Sequence, residues 1–396
     1  MSKSVNGSLT GTLVLDASRV LAGPFAGQLL GDHGAEVIKV EAFGGDDTRG
    51  YGPPFVDGTA PYFLGLNRNK KDLALDLSKP EGIDLLFEML EQADVFIENF
   101  KASTWAKWGI SELSEITRRF PHLVHCRVSG FGETGPLGGL PGYDAAVQAI
   151  SGLMAVNGPP DIDACRIGIP IVDSCTGMYG CMGILMALLE RNRSGLGQLV
   201  EVTLYDTAIA MLHPHASNVL NGGRALRTGN GHPNIVPYDL FPTSTVPLFL
   251  AVGNDRQFRT LCAELGVPGL GTDLLYRTNR DRVTNRDSLR ATLCPLLEKR
   301  DGMALFTHLM DLGVPCAPVL TVEEVLELDH TRTREMVQEV DGYRGPGIAV
   351  KLDRTPGSVR LPPPIIGAHS QDVLTRFGFD SDKVSQLLSQ NVVRCE

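Results

Sequence analysis

The sequence lacks several of the patterns by which common classes of site are recognised. Its eight cysteines contain no C-x-x-C pair, which argues against both a zinc site and a disulfide framework. No dense block of lysine and arginine offsets the net charge of −10, which disfavours nucleic acid as a partner. We therefore predict free thiols in a reducing compartment, no metal site and no nucleic-acid partner.

Long hydrophobic runs and recognisable targeting segments are also missing. The longest apolar stretch, residues 178–189, is interrupted by glycine and falls short of the roughly 18 residues that cross a bilayer. The N-terminal segment MSKSVNGSLTG has neither the apolar centre of a secretory signal nor the arginine-rich character of a transit peptide. With 43% hydrophobic and 21% charged residues, the sequence predicts a globular, cytoplasmic protein with no membrane association.

A third absence concerns the turn after the first predicted strand. It reads SRVLAGPFAG, with one glycine before a proline, instead of the G-x-G-x-x-G that cradles a dinucleotide phosphate. Glu41, at the end of the next predicted strand, resembles the acidic ligand of a ribose in such folds. Because the glycines are missing, this match is weak, and we predict no nicotinamide site.

What the first 150 residues do contain is a regular alternation of strand and helix signals. The predicted strands are TLVLDAS, AEVIKVE, DVFIENF and HLVHCRVSGFG, and the predicted helices are GPFAGQLLGDHG, PEGIDLLFEMLEQA and GYDAAVQAISGLMAV. This order is typical of an α/β fold in which helices cover a parallel sheet. A chain of 396 residues is long enough for such a Rossmann-like large domain and a smaller one.

The stretch RIGIPIVDSCTGMYGCMGILMALLERNRSG contains the most informative acidic residue. Residues 167–172 read as a buried strand and the following residues as a helix, so Asp173 stands between the two. An aspartate there is commonly an N-cap that stabilises the helix by about 1 kcal/mol. It also lies where α/β folds place their sites, and a helix N-terminus favours an ionised carboxylate that can act as a nucleophile. The residues alone leave both interpretations open.

Several phrases, taken together, carry a resemblance to a known family. The sequence resembles the family III (CaiB/BaiF-type) CoA-transferases from about residue 10 to about residue 375. The phrases, in family order, are RVLAGPFAGQLLGDHGAEVIKVE, GGDDTRGYGPP, LNRNKKDLALDL, ADVFIENF, PGYDAAVQAISGLM, IPIVDSCTG and GNGHPNIVPYDLF.

The resemblance implies that Asp173 is a catalytic nucleophile that attacks a CoA thioester. An aspartyl mixed anhydride and then an aspartyl-CoA thioester would form, and the acyl-transfer energy would be conserved. Coenzyme A thioesters would be substrates, and no cofactor would be bound permanently. Backbone amides of Ser174, Cys175 and Thr176 are placed to stabilise an oxyanion if the helix starts at Asp173.

The resemblance assigns further positions one at a time. Asn99 and Phe100 match a pair that lies along CoA, Lys107 matches a contact to the CoA phosphates, and Leu204 is assigned to the same CoA site. Tyr143 matches an active-site tyrosine near the nucleophile. Taken singly, such a lysine reads as a solvated side chain and such a tyrosine as packing.

The sequence also departs from the formyl-CoA transferases of this family. Leu21 replaces a glutamine of the active site, Ala42 replaces an arginine near the adenine, and Gly253 stands alone where those enzymes have a run of glycines. We keep Leu21 and Gly253 as supporting residues of the active site. The departures argue against oxalate or formyl-CoA as substrates.

Two alternatives to transfer remain at this point. An α-methylacyl-CoA racemase resembles this sequence but carries histidine where Tyr143 stands, and a tyrosine with a pKa near 10 is a poor base at neutral pH. His122 and His125 lie on or beside a predicted strand and are expected to pack there. A non-catalytic CoA-binding protein would retain IENF but would not require Asp173.

The residues of these motifs are most similar to those of family members that move CoA between dicarboxylates. This resemblance predicts succinyl-CoA or another dicarboxyl-CoA as donor and a carboxylic acid as acceptor. A second substrate carboxylate needs a cation in the cleft, and the candidates are Arg19, Arg49 and Arg68. Each of them could instead form a structural ion pair or contact a CoA phosphate.

The resemblance further implies an interlocked homodimer in which each chain forms a ring. The Gly- and Asn-rich segment near residues 215–235 suits one of the connections between domains. We predict a large domain over 1–206, a linker over 207–235, a small α/β domain over 236–325, a second linker over 326–345 and a return to the large domain over 346–396.

Overall fold

The computed structural model of the protein describes residues 7–396. Residues 1–6, which include the start of the segment in which no targeting signal was predicted, lie outside the described residues. The strands are β1 (Leu13–Asp16), β2 (Glu36–Glu41), β3 (Lys70–Leu75), β4 (Val95–Glu98), β5 (Val124–Ser129), β6 (Leu199–Thr203), β7 (Tyr238–Phe241), β8 (Leu248–Ala251), β9 (Cys316–Pro318), β10 (Val337–Val340), β11 (Tyr343–Pro346) and β12 (Val393–Arg394).

The helices fall between these strands. They are α1 (Ala22–Asp32), α2 (Pro61–Leu64), α3 (Pro80–Leu90), α4 (Ala102–Lys107), α5 (Ser114–Arg119), α6 (Asp144–Ile150), α7 (Leu153–Val156), α8 (Ile171–Ser194), α9 (Leu204–Ala210), α10 (His215–Leu220), α11 (Asp255–Glu264), α12 (Asn279–Thr284), α13 (Arg286–Leu297), α14 (Gly302–Asp311), α15 (Val322–Glu327), α16 (Asp329–Thr333), α17 (Ser370–Arg376) and α18 (Ser381–Ser389). Short 3-10 turns occur at Asp47–Gly50 and Pro268–Gly271.

The chain divides into two compact units. The first comprises residues 7–151, Gly168–Met211 and Asp329–Glu396, and the second comprises Gly152–Ile167 and Leu212–Leu328. The predicted large domain ran unbroken to residue 206, whereas the structure inserts residues 152–167 into the second unit. Within that unit Gly229 N–H donates to Gly158 O at 3.1 Å, which helps to hold the inserted segment against the later part of the chain.

The first unit is built on a seven-stranded sheet. Its strand order is β12-β3-β2-β1-β4-β5-β6, with β1 to β6 parallel and β12 antiparallel to β3 at one edge. The predicted parallel-rich α/β sheet is therefore confirmed. β1 and β4 are buried along their whole lengths, as expected for strands covered by helices on both faces.

The order of the strands reverses direction between β1 and β4. In α/β sheets the crevice outside the carboxyl ends of two such strands is where ligands bind. Here the turn after β1 and the turn after β4 are joined by hydrogen bonds. Arg19 N–H donates to Asn99 Oδ1 at 3.1 Å, and Asn99 Nδ2 donates to Arg19 O at 2.9 Å.

The second unit has its own hydrophobic core. Its sheet is antiparallel, in the order β7-β8-β9. Buried side chains of α11, α13 and α14 pack on it, with Phe258, Leu289 and Leu309 fully enclosed. Helices packed on a small antiparallel sheet around their own core form a separate α/β unit.

The helix α8 corrects one prediction made from the sequence. Residues 167–172 were predicted to be a buried strand, but no strand forms there and the helix already begins at Ile171. The apolar run of residues 178–189 lies within α8, a 24-residue helix that is long and apolar enough to cross a membrane by length and composition only. It packs on α1, β5, β6 and α9 as a helix of the α/β layers.

Small residues let α8 approach its neighbours closely. A Cβ added to Gly177 would lie 2.6 Å from Ala22 O and 3.1 Å from Phe25 Cδ1 of α1. A Cβ on Gly180 would meet its nearest atoms at 3.6 Å, which is ordinary contact. The glycines that interrupt the apolar run therefore have different roles, and Gly177 fixes the spacing of α8 from α1.

These two glycines provide a matched test of that spacing. Gly177→Ala is expected to destabilise the protein by about 1–3 kcal/mol, because a backbone carbonyl cannot move aside cheaply. Gly180→Ala is expected to be neutral or to stabilise by up to about 1 kcal/mol through helix propensity. Urea unfolding of both variants measures the difference, and equal midpoints would contradict the assigned role of Gly177.

Candidate active site

Asp173 lies in the first turn of α8, which begins two residues before it. The N-cap residue is Pro170, whose side chain contains no atom that can accept a hydrogen bond. Asp173 is therefore not the N-cap, and it is not at the carboxyl end of a strand, contrary to the prediction. Its exposed fraction is 9%, and within residues 7–396 no hydrogen-bond donor lies on its carboxylate oxygens.

The N–H groups at the start of α8 are bonded to another carboxylate. Val172 N–H and Asp173 N–H donate to Asp144 Oδ2 at 2.8 and 3.1 Å. Ser174 N–H donates to Pro170 O at 3.0 Å, and Cys175 and Thr176 lie inside the helix. The prediction that Ser174 offers a free amide to an oxyanion is therefore wrong.

The environment of Asp173 disfavours its charge. Burial, followed by repulsion from Asp144, raises the pKa of Asp173 to about 7. From the sequence, the helix N-terminus was expected to favour the ionised form. That effect is weakened here because the nearest helix amides are already bonded to Asp144.

Three tyrosines belong to the same neighbourhood. Burial, then the charges of Asp173 and Asp144, raise the pKa of Tyr62 to about 12, so its hydroxyl remains protonated. The Tyr51 ring contacts the Tyr62 ring edge to face, with centroids 5.5 Å apart. Burial, then Tyr143, raises the pKa of Tyr51. Tyr143 is 63% exposed and is the N-cap residue of α6.

Buried ion pairs support the turn that carries Arg19. Lys70 Nζ contacts Asp16 Oδ2 at 2.8 Å, and Lys39 Nζ contacts Asp46 Oδ2 at 3.2 Å, with all four side chains fully enclosed. Asp46 also accepts the N–H of Val20, which has a φ of 73°. Such a backbone conformation is costly for a β-branched residue and persists because its surroundings fix it.

The structure distinguishes the three candidate arginines. Arg49 binds Glu41 through Nε at 2.8 Å and Nη2 at 2.7 Å, and Arg68 binds Asp32 through Nε at 2.9 Å and Nη2 at 2.6 Å. Arg19 is exposed, and its carboxylate partner among the described residues is Asp47, at 2.5 Å, in a pair of which both side chains are about half exposed. Arg19 is thus the candidate with a solvent-accessible guanidinium.

Three of the four predicted CoA-binding residues lie on or shortly after the turn that follows β4, and the fourth, Leu204, lies on α9. The Asn99 amide is bonded to the Arg19 backbone on both sides, and the Phe100 ring packs edge to face on Trp108 with centroids 5.0 Å apart. Lys107 is exposed at the end of α4, and Leu204 is buried as the first residue of α9.

The remaining predicted positions are placed as follows. Leu21 is buried and is the N-cap residue of α1. Gly253 belongs to the second unit, where it is exposed and its N–H donates to Gln257 Oε1 at 3.0 Å. Among the described residues, no group of three His, Cys, Asp or Glu side chains is arranged to hold a metal ion.

Sequence reasoning missed three residues that the structure brings to this site. Asp144, Tyr62 and Asp46 were not singled out, although the phrases PGYD, APYFLG and GGDDTR contain them. The available signal was an acid directly after the PGY turn, at the start of a predicted helix. Only the tertiary structure shows that Asp144 caps α8 instead of its own helix α6.

A family model described as CoA-transferase family III matches residues 9–370. The chain belongs to CoA-transferase family III. Members of this family transfer CoA between an acyl-CoA and a carboxylate, so the predicted resemblance and the predicted enzyme class are confirmed. The racemase and the non-catalytic alternatives lose their support accordingly.

Curated relatives and a solved structure cover nearly the whole family III chain. A succinate–glutarate CoA-transferase of Agrobacterium fabrum is 39% identical over 92% of this chain and 94% of its own length. An acetyl-CoA:oxalate CoA-transferase of Acetobacter aceti is 39% identical over 87% of this chain and 89% of its own. A CaiB/BaiF family protein from Brucella suis has a TM-score of 0.83 at 36% identity, covering 94% of this chain and all of that one.

The free energy of unfolding is expected to depend on pH because the charge of Asp173 is unfavourable in the folded protein. A folded-state pKa near 7, against 3.8 ordinarily, means that the folded protein binds this proton more tightly than the unfolded chain. Stability is therefore lost as pH rises from about 4 to about 7 and stays low above that. Asp173→Asn is expected to raise the melting temperature at pH 8 and to leave it nearly unchanged at pH 4.

A true N-cap aspartate provides the matched control for this experiment. Asp380 accepts the N–H of Lys383 and caps α18. Asp380→Ala is expected to lose about 1 kcal/mol at pH 8. If Asp173→Asn behaved like Asp380→Ala, Asp173 would be a structural residue.

Proposed function

We propose that the protein moves CoA from succinyl-CoA or another dicarboxyl-CoA to a carboxylic acid, with Asp173 as the covalent nucleophile. The observation that carries this proposal is the enclosed Asp173 carboxylate, whose oxygens have no hydrogen-bond donor among the described residues. A carboxylate that accepts no hydrogen bond from the protein and is largely removed from water is a stronger nucleophile than a fully solvated one. The names of the two relatives support CoA transfer between carboxylic acids.

The proposed reaction proceeds in four balanced steps. An Asp173 oxygen attacks the thioester carbonyl carbon, a C–O bond forms, the C–S bond breaks, and CoA leaves as the thiolate. The thiolate attacks the aspartyl carbonyl of the mixed anhydride and releases the donor acid as a carboxylate. The acceptor carboxylate attacks the aspartyl-CoA thioester and again frees the thiolate, which then attacks the acceptor acyl group and restores Asp173.

No proton is consumed in this cycle, but Asp173 must begin it ionised. Because the pKa of Asp173 is about 7, the reactive fraction falls as pH is lowered through neutrality. The protonated hydroxyl of Tyr62 is a candidate donor to the oxyanion, since the first amides of α8 are occupied.

Arg19 is the proposed partner of the second carboxylate of a dicarboxylic substrate. It lies on the turn at the switch point of the sheet, and its backbone is fixed by Asn99. The charges of Arg19 and of Asp47 both act on Tyr51, whose ring contacts Tyr62 beside Asp173. Arg49 and Arg68 already bind carboxylates of their own chain.

The CoA-binding roles of Asn99, Phe100, Lys107 and Leu204 are part of this proposal. Phe100, Trp108 and Trp105 form an aromatic cluster beside the turn after β4, on which a flat base can stack. Lys107 is exposed at the end of α4, close in sequence to Trp105 and Trp108, and supplies a cation for a phosphate. Tyr143 is proposed to contact the acyl portion, since it lies directly before Asp144.

We also propose a homodimer in a reducing, cytoplasmic compartment. The outer face of α8 exposes Met178, Met182, Leu185, Met186 and Leu189, and the adjoining groove has a volume of about 400 Å³. A continuous apolar face of this kind is typical of an interface. All eight cysteines are free, which favours a reducing compartment.

Chemical trapping tests the nucleophile directly. After incubation with succinyl-CoA and hydroxylamine, Asp173 is expected to become a hydroxamate, which peptide mass spectrometry would locate. Asp173→Asn is expected to yield no adduct and no CoA exchange, while sedimenting as the same dimer as the parent. If the Asn variant exchanged CoA at the parental rate, the proposed mechanism would be excluded. A racemase or a CoA-binding protein would give no adduct in either chain.

The role of Arg19 is tested with acceptor acids of matched length. Arg19→Ala is expected to raise the KM for glutarate roughly 10- to 100-fold, as loss of a charge-assisted pair implies, and to change the KM for valerate little. Asp47→Asn removes the competing carboxylate and is expected to lower the KM for glutarate. Equal effects on both acids would exclude Arg19 as the carboxylate partner. Oxalate belongs in the same panel, because one relative is named for it.

A further inference from the structure

The start of α8 is organised by a residue outside that helix. The first N–H groups of a helix have no hydrogen-bond acceptor within the helix. The side chain of the N-cap residue Pro170 cannot supply such an acceptor. Ile171 N–H donates to Ile169 O at 2.8 Å, and the next two N–H groups donate to Asp144 Oδ2. The backbone of the proposed nucleophile is therefore held by the side chain of Asp144.

Asp144 is itself fixed in orientation. It is 8% exposed and is the first residue of α6. Its Oδ1 accepts a hydrogen bond from Gln148 Nε2 at 2.6 Å, one helical turn away. With donors on both oxygens, Asp144 is an acceptor throughout, as an ionised carboxylate is.

This arrangement places a second carboxylate beside Asp173. Repulsion from Asp144 raises the pKa of Asp173, of Cys175 in the same turn and of Tyr62 across the site, in each case after burial. The charged group that acts on Asp173 from another element is thus Asp144 of α6, while the Tyr62 hydroxyl of α2 responds to both carboxylates. None of the ion pairs described within residues 7–396 includes Asp144 or Asp173.

From this geometry we infer that Asp144 is a positioning residue of the transfer reaction, which fixes the backbone of Asp173 and uses its own negative charge to make Asp173 a stronger nucleophile. The inference rests on the proposed role of Asp173 and adds a second acid to the site. It also explains why the helix N-terminus does not weaken the nucleophile: its amides stabilise the charge of Asp144 instead. Asp144 forms no bond with the substrate in this scheme.

The test is the pH dependence of kcat/KM in Asp144→Asn. Removing the neighbouring charge is expected to move the acid limb of the profile to lower pH by about one unit, so the ionised fraction of Asp173 at pH 6 rises several-fold. Glu81→Gln is the matched control, because Glu81 is an exposed acid in the first turn of α3. Its profile is expected to coincide with that of the parent.

A second measurement separates this inference from the proposed function. The change in melting temperature caused by Asp173→Asn is measured from pH 4 to 9, in the parent and in the Asp144→Asn background. This change in melting temperature follows the ionisation of Asp173 and requires no turnover. The pH at which the change is half complete, its midpoint, is expected to be lower in the Asp144→Asn background. If the midpoint does not move while stability falls, Asp144 is only a helix cap and the inference is overturned. If the midpoint moves but the parent transfers no CoA, the proposed function fails, and only the electrostatic action of Asp144 on Asp173 stands.

Discussion

At the N-terminus of α8, two carboxylates lie beside a single set of backbone amides, and only one of them accepts hydrogen bonds from that set. Asp144 takes the N–H groups of Val172 and Asp173, and Asp173 is left enclosed with no donor on its own oxygens among the described residues. Both effects disfavour the charge of Asp173, and its pKa rises to about 7. The cost in stability is the kind that active sites retain, because the same features that destabilise the charge make it reactive.

The turns around this carboxylate are fixed by polar contacts of a different kind. Behind the β1 turn, Lys70 with Asp16 and Lys39 with Asp46 form enclosed ion pairs. Breaking one partner of such a pair is costly, so the pairs specify the geometry of the turn even where they add little net stability. Asn99 then ties that turn to the one after β4. The proposed carboxylate partner Arg19 and the proposed CoA residues are thereby placed on one connected support.

The success of sequence reasoning differed between elements for identifiable reasons. Strands such as Glu36–Glu41 and helices such as Pro80–Leu90 were predictable because apolar periodicity and an N-terminal proline are local signals. Residues 167–172 were misread because a short apolar run does not distinguish a strand from the start of a buried helix. The helix predicted over residues 142–156 is broken at Gly152, whose φ of 94° ends one segment before the next begins.

The sequence alone determined the parallel-rich α/β class, the family and the identity of Asp173 as the residue to examine, since these depend on local periodicity and on motifs read along the chain. The tertiary structure decided which groups act on Asp173. Asp144 is 29 residues away in the chain, and its contact with the Asp173 amide exists only because α6 meets the start of α8. Likewise, folding encloses Arg49 and Arg68 with carboxylate partners, whereas the pair of Arg19 with Asp47 stays about half exposed. Charges act through distance in space, which the order of residues does not give.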